Sequence, residues 1–195
     1  MSVHWRVLIR TKLVSSFSNS SNGLPWFAIQ TKPRWEKSVH EALLGKGYES
    51  FLPVYKSRRR WSDRIKELEL PLFPGYLFCR LAIEEKLPVL TTLGVRQFVG
   101  IGRTQSSVPD SEIDAVRAIA ASGLAAQPWP FLRVGHRVRL RGGSLDGVEG
   151  ILVAARKRRR LIVSVELLQR SVAVEVDQAW VEAITPPAPP GNRSA

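Results

Sequence analysis

Residues 58–80, RRRWSDRIKELELPLFPGYLFCR, decide how the rest of the chain is read. A basic, tryptophan-bearing segment runs into a Pro74-Gly75 turn and then into an apolar strand. Side chains alternate between the two faces of a strand. From Tyr76 on, one face therefore carries Leu77, Cys79 and Leu81, and the other Tyr76, Phe78 and Arg80. The aliphatic set is the expected core side. The two aromatics then lie either under a covering helix or open to a partner, beside a strongly cationic loop.

Outward from this strand, the pattern is mixed. Trp26–Thr31 is an apolar strand candidate, and Pro33 suits the first turn of a helix, where a missing N–H costs nothing. Trp35, Val39 and Leu43 recur at helical spacing until Gly45 and Gly47 end the run. Ser50–Tyr55 reads as a strand, Lys56–Glu69 as a polar excursion and Leu70–Leu81 as the strand above. A short helix is expected around Glu84–Leu90, a strand at Val95–Val99 and a helix at Pro109–Ala121, whose Ile113, Val116 and Ile119 share a face. Residues 122–132, with Gly123 and two prolines around Trp129, break the pattern and read as a linker. Beyond it, Val134, Val138 and Leu140, then Leu161 to Leu167, then Val172, Val174 and Val176 alternate with other residues, as in short strands. A sheet that small favours closure into a barrel.

Composition narrows the function. The 195 residues fit one medium domain or two small ones, and 44% hydrophobic content supports a packed core. A net charge of +12 favours a polyanionic partner, either nucleic acid or an acidic protein surface. No apolar run reaches the roughly 18–20 residues of a membrane span, and no long basic amphipathic helix supports surface binding to lipid. The single cysteine, Cys79, on the core side of its strand, excludes an intrachain disulfide and fits a reducing cytoplasm. His4, His40 and His136 lack metal-ligand spacing, Gly100-Ile101-Gly102 is only a fragment of a dinucleotide loop, and Gly45-Lys46-Gly47 lacks the upstream glycine of a phosphate loop. The expectation is a binding protein without metal, cofactor or catalytic site. Residues 1–24 carry basic residues and a Ser/Asn-rich stretch but no acid; a flexible extension, or a start placed too far upstream, is expected there. A disordered Pro-rich tail is expected at 185–195.

Two motifs in order carry a family resemblance. WFAIQTKPRWEKSVHEALLGKGYESFLPVY, then PLFPGYLFCRL, then LGVRQFVG resemble the NGN domain of the NusG family; VGHRVRLRGGSLDGVEGILVAARKRRRLIVSVELLQRSVAVEVD resembles its KOW domain. The resemblance implies an α+β NGN domain over 25–121, an antiparallel sheet flanked by helices, linked through 122–132 to a small all-β SH3-like KOW barrel over 133–184. It further implies a monomeric, cytoplasmic factor for transcription elongation and antitermination. Such a factor binds RNA polymerase, mainly the clamp helices of its largest subunit, and suppresses pausing or termination. The KOW domain is then an adaptor toward a ribosomal protein or a termination factor.

Carried over residue by residue, the family's polymerase-docking cavity falls on Phe73, Tyr76 and Phe78. Basic positions toward non-template DNA fall on Lys32, with Arg34 nearby, and a later loop position on Thr92. Arg58, Arg59, Arg60 and Arg64, with Lys66 beside them, are either a solvated loop or a track for phosphate or nascent RNA, with Trp61 as a stacking face. Arg156–Arg160 sits at an expected hairpin tip. The KOW adaptor contact falls on Leu168, Gln169 and Arg170, where the housekeeping members carry Phe-Gly before Arg. That departure, the LFPGYLF form of the docking strand and the short arginine-rich excursion resemble the operon-specialised RfaH and UpxY types. Housekeeping action and a ribosome-associated KOW protein are the alternatives. The third and fourth KOW strands, dense in β-branched residues, predict a stable barrel without a helical state.

Overall fold

A computed structural model describes residues 23–60, 65–102, 104–132, 135–155 and 158–184. The N-terminal extension, apart from its last two residues, and the Pro-rich tail lie outside the described residues. The elements run β1 (Trp26–Thr31), α1 (Glu36–Gly45), β2 (Glu49–Phe51), β3 (Val54–Arg60), β4 (Ile65–Pro71), β5 (Tyr76–Arg80), α2 (Leu87–Leu90), β6 (Val95–Phe98), β7 (Gly100–Ile101), β8 (Thr104–Gln105), β9 (Ser107–Val108) and α3 (Asp110–Ala121). The strand-rich remainder is β10 (Ala126–Pro130), β11 (His136–Leu140), β12 (Glu149–Ala155), β13 (Arg158–Val165), β14 (Arg170–Val176) and β15 (Val181–Ala183).

An antiparallel sheet in the order β2-β5-β1-β6, with β9 also paired to β1, forms the centre of the first module. Alternation along β5 and β1 splits its side chains between two cores. Phe27, Ile29, Leu77 and Cys79 meet Val39 and Leu43 of α1 and Val89 of α2 on one face. Trp26, Ala28 and Phe78 meet Ile113, Val116 and Ile119 of α3 on the other. Each fully buried aliphatic contributes roughly 1.5–3 kcal/mol, so a charge at Leu43 or Ile113 would strip a helix from its face. Gly94, at φ +97, closes the first module: a Cβ there would stand 2.6 Å from Cε3 of Trp35.

Three sequence readings change here. The strand expected over Leu70–Leu81 is two, because Pro74 has no N–H to donate and Gly75 turns the chain at φ +85. Ser50–Tyr55 is likewise interrupted before Pro53. The polar excursion is a long hairpin, β3 on β4, in register from Val54↔Pro71 to Arg60↔Ile65.

The second module is a six-stranded antiparallel sheet in the order β10-β14-β13-β12-β11-β15. The inward residues of its strands and turns, among them Val138, Leu140, Leu145, Leu161, Val163, Val172 and Val174, share one core. The stretch read as a linker contributes β10, paired along β14 despite Pro128 and Pro130. Proline is tolerated on an outer strand because one N–H in two faces away from the ladder.

Candidate functional site

The Pro74-Gly75 turn that precedes β5 is held by α1: the Gly75 N–H donates to Oε1 of the buried Glu36 at 2.8 Å. This fixes where Phe73, Tyr76 and Phe78 sit. Phe73 and Phe78 are 1% and 0% exposed and meet edge to face, with centroids 5.8 Å apart. Phe78 stacks on Phe51 of β2 at 6.1 Å, and Phe51 meets Trp26 at 6.5 Å. Of the two options left by alternation, Phe78 takes the covered one, beneath α3.

Cations frame this aromatic row. The guanidinium groups of Arg80 and Arg117 lie 4.9 Å and 5.5 Å from the Trp26 ring, and Arg117 also lies 5.3 Å from Phe51. Glu49 pairs with both arginines, at 3.4 Å and 3.5 Å, and Arg80 reaches Asp110 at the start of α3 at 2.7 Å. No sequence pattern marks Phe51, Trp26 or Arg117 as parts of one site. Their convergence depends on the Phe51↔Phe78 register, which no local pattern encodes.

Tyr76 is half-buried, and one contact on its ring comes from the other module. The guanidinium of Arg170, the first residue of β14, lies 5.4 Å from the ring centroid. Nearby, the Glu166 N–H donates to Oε2 of Glu112 on α3 at 3.3 Å. Between α3 and the barrel is a cleft of about 820 Å³ bordered by Glu112, Asp114, Arg137, Asp146, Glu149 and Glu166 along with smaller and apolar residues. Burial raises the Glu112 carboxyl above its ordinary range; the Glu166 N–H partly offsets this, and the Glu166 carboxylate adds to it.

The three adaptor candidates separate. Leu168 is turned into the barrel core, and Gln169 adopts a left-handed backbone at φ 50 with its Nε2 donating to the Glu166 carbonyl at 2.7 Å. Gln169 and Arg170 are both exposed, and Arg170 reaches onto Tyr76.

The basic candidates also divide. Lys32 and Arg34 are exposed on one turn, in which the Trp35 N–H donates to the Lys32 carbonyl and the Lys32 ammonium lies 6.0 Å from the Trp35 ring. Arg34 stands at φ 67, the position of a turn that glycine or asparagine ordinarily takes. Thr92 is 6% exposed; its hydroxyl donates to the Pro88 carbonyl at 3.0 Å and accepts from Nζ of Lys46 at 2.7 Å, so it is spent inside the fold. Arg58, Arg59 and Arg60 end β3, opposite Glu67, Lys66 and Ile65. Trp61 and Arg64 lie outside the described residues, as do Arg156 and Lys157. On the barrel, Arg139 and Arg141 are paired with Glu149 and Glu182, and Arg160 with Glu175. Much of this basic stripe is therefore neutralised. Among the described residues no group of three or more His, Cys, Asp or Glu is placed to hold a metal, and no helix is long and apolar enough to cross a membrane.

An α/β sandwich joined to a small barrel, with an aromatic row under α3, defines a two-module architecture. Comparison with known proteins identifies it. A family model described as "Transcription termination factor nusG" matches residues 24–117. The chain is 27% identical over 180 residues to the transcription termination/antitermination protein NusG of Borreliella burgdorferi, covering 82% of this chain and 98% of that one. It is also 27% identical over 172 residues to NusG of Lactococcus lactis, covering 82% and 92%. A solved structure, "Domain interaction in Thermotoga maritima NusG", superposes with a TM-score of 0.51 at 21% identity over 83% of this chain and 97% of that one, a likeness of fold. Over residues 24–117 the chain is similar to the NusG family, and over most of its length it is similar to NusG proteins.

Proposed function

We propose that this chain is a NusG-family elongation and antitermination factor that binds RNA polymerase through the face built on Phe73, Tyr76 and Phe78. Tyr76 is the accessible anchor, and Phe73 and Phe78 are the wall that fixes it. What carries this reading is the Tyr76 ring, which is half-buried and is met by the exposed Arg170 of the other module. A few desolvated aromatic anchors usually dominate an interface. A guanidinium over an aromatic face contributes only about 0.5–1 kcal/mol when exposed, so a partner that offers more apolar contact displaces it.

In this scheme the barrel competes with polymerase for the same face, and the factor acts after the modules part. The target is the clamp helices of the polymerase's largest subunit, and the exposed Lys32–Arg34 turn is the contact to non-template DNA. The freed barrel is the adaptor toward a ribosomal protein or a termination factor. The Leu168-Gln169-Arg170 sequence and the LFPGYLF strand favour action on selected operons over general housekeeping. The reading places the factor in the cytoplasm as a monomer and assigns it no catalytic step.

Single-round transcription through a strong pause and a terminator, with and without the purified chain, tests it. The expected result is shorter pause lifetimes and more read-through. Unchanged elongation by a polymerase to which the chain is demonstrably bound would contradict the antitermination role.

A further inference from the structure

Residues 126–132 fasten the connection between the modules to the barrel, and we propose that this strap sets how firmly the barrel is held against α3. Strand β10 pairs along β14 from Ala126↔Val174 to Pro130↔Arg170. Trp129 and Leu132 pack on an apolar patch made by Ile151, Ile162 and Ala173, separate from the main barrel core. The Arg160 guanidinium covers Trp129 at 5.3 Å. The Leu132 N–H donates to Ser171 Oγ at 3.3 Å, and its carbonyl accepts from Ser164 Oγ at 3.1 Å. The two serines are themselves bonded at 2.8 Å.

The placement has a geometric consequence. With the strap seated, only residues 122–125 lie between the end of α3 and the start of β10. With it released, the free stretch extends over residues 122–135, to the start of β11. Effective concentration falls roughly as the −3/2 power of linker length, so release lowers the hold of one module on the other roughly sixfold. The strap is suited to release. Pro128 and Pro130 have no N–H to give, and Gln127, Pro128 and Pro130 are exposed. Pro130, the last residue of β10, stands opposite Arg170, the residue whose guanidinium lies on Tyr76. Movement of the strap therefore acts on the contact between the modules as well as on the length of the tether.

This inference is independent of the polymerase reading, because what is measured is a distance within the chain. Spin labels at Gln97→Cys on β6 and Ala183→Cys on β15 report that distance by pulsed electron resonance; Cys79 is buried and stays unlabelled. The unaltered strap should give one narrow distance population. Trp129→Ala should raise the ratio of broad to narrow population roughly sixfold, with faster amide exchange at Gln127 and Trp129. A second variant inserts ten Gly/Ser residues after Gly123 and leaves the strap seated; it should broaden the distances to a similar degree. A broad distribution in the parent chain overturns the proposal. So does a narrow one in Trp129→Ala when β10 amides exchange freely. Should Trp129→Ala unfold the barrel, the insertion variant decides, and a narrow distribution there overturns the proposal.

Discussion

Arg170 and Tyr76, one at the start of β14 and the other at the start of β5, are stacked at 5.4 Å across the two modules. Each is a candidate contact for a different outside partner, and in this structure each meets the other. The pair belongs to a larger contact between the modules that includes Glu112 with Glu166 and the cleft beside α3. Under the proposed reading this contact makes the two surfaces mutually exclusive, and a weak cation–π pair adds little to the cost of separating them.

Arg170→Ala removes about 0.5–1 kcal/mol of contact between the modules. The expected outcome is a two- to fivefold larger open population, seen as faster amide exchange in α3, with the melting of the barrel unchanged.

Phe78→Ala and Tyr76→Ala should differ sharply in stability. Phe78 is fully buried among Phe51, Phe73 and α3, and its truncation should cost about 3–5 kcal/mol. Tyr76 is half-buried, and its truncation should cost well under that. Denaturant unfolding of both variants checks the difference and identifies Tyr76 as the usable probe of docking.

Arg34→Gly should leave stability unchanged or raise it by up to about 1 kcal/mol, because φ 67 suits glycine and strains an arginine. Single-strand DNA affinity should fall in the same variant, with a log–log salt slope shallower by roughly 0.7 for one lost phosphate contact. A stable variant with unchanged salt dependence would remove Arg34 from the nucleic-acid surface.

Contact between the modules should weaken as pH rises. The Glu112 carboxyl is held above its ordinary range, so the packed state binds its proton more tightly than a solvated glutamate does. That contribution is fully present below the ordinary glutamate pKa and is lost as pH rises through the raised value. Asp114, Asp146, Glu149 and Glu166 face the same cleft, and Arg137 opposes them. Protection of the Glu166 amide against exchange, corrected for intrinsic pH effects, should fall from mildly acidic to neutral buffer. Glu112→Gln should remove most of that dependence.

Cys79 should resist alkylation in the native chain. Burial is the main cause that pushes its thiol up to about 12, with the Glu49 carboxylate adding to it, so almost no thiolate exists at neutral pH. Labelling by iodoacetamide should track global unfolding in denaturant.

Local periodicity made much of this fold legible. Val39 and Leu43, Ile113 with Val116 and Ile119, and the alternation along β5 each name a buried face, and the structure buries those faces. What alternation does not say is what covers a face. Phe78 lies off the aliphatic side of β5 and is nonetheless core, because α3 arrives from more than thirty residues away in sequence. Trp129 sits among breakers, yet its strand holds, because an outer strand tolerates proline and an apolar patch on the barrel receives the indole. Thr92 looks like a loop hydroxyl in sequence; Lys46 and Pro88 consume it. The contact of Arg170 with Tyr76 depends on how two modules dock, and no window of sequence contains it.

Equilibrium binding to core RNA polymerase, measured for the parent chain, Tyr76→Ala and Arg170→Ala with folding verified for each, tests the central claim most directly. Binding is expected to weaken about tenfold or more in Tyr76→Ala and to strengthen about two- to fivefold in Arg170→Ala as the face is uncovered. Parent-like affinity in a folded Tyr76→Ala would contradict the account.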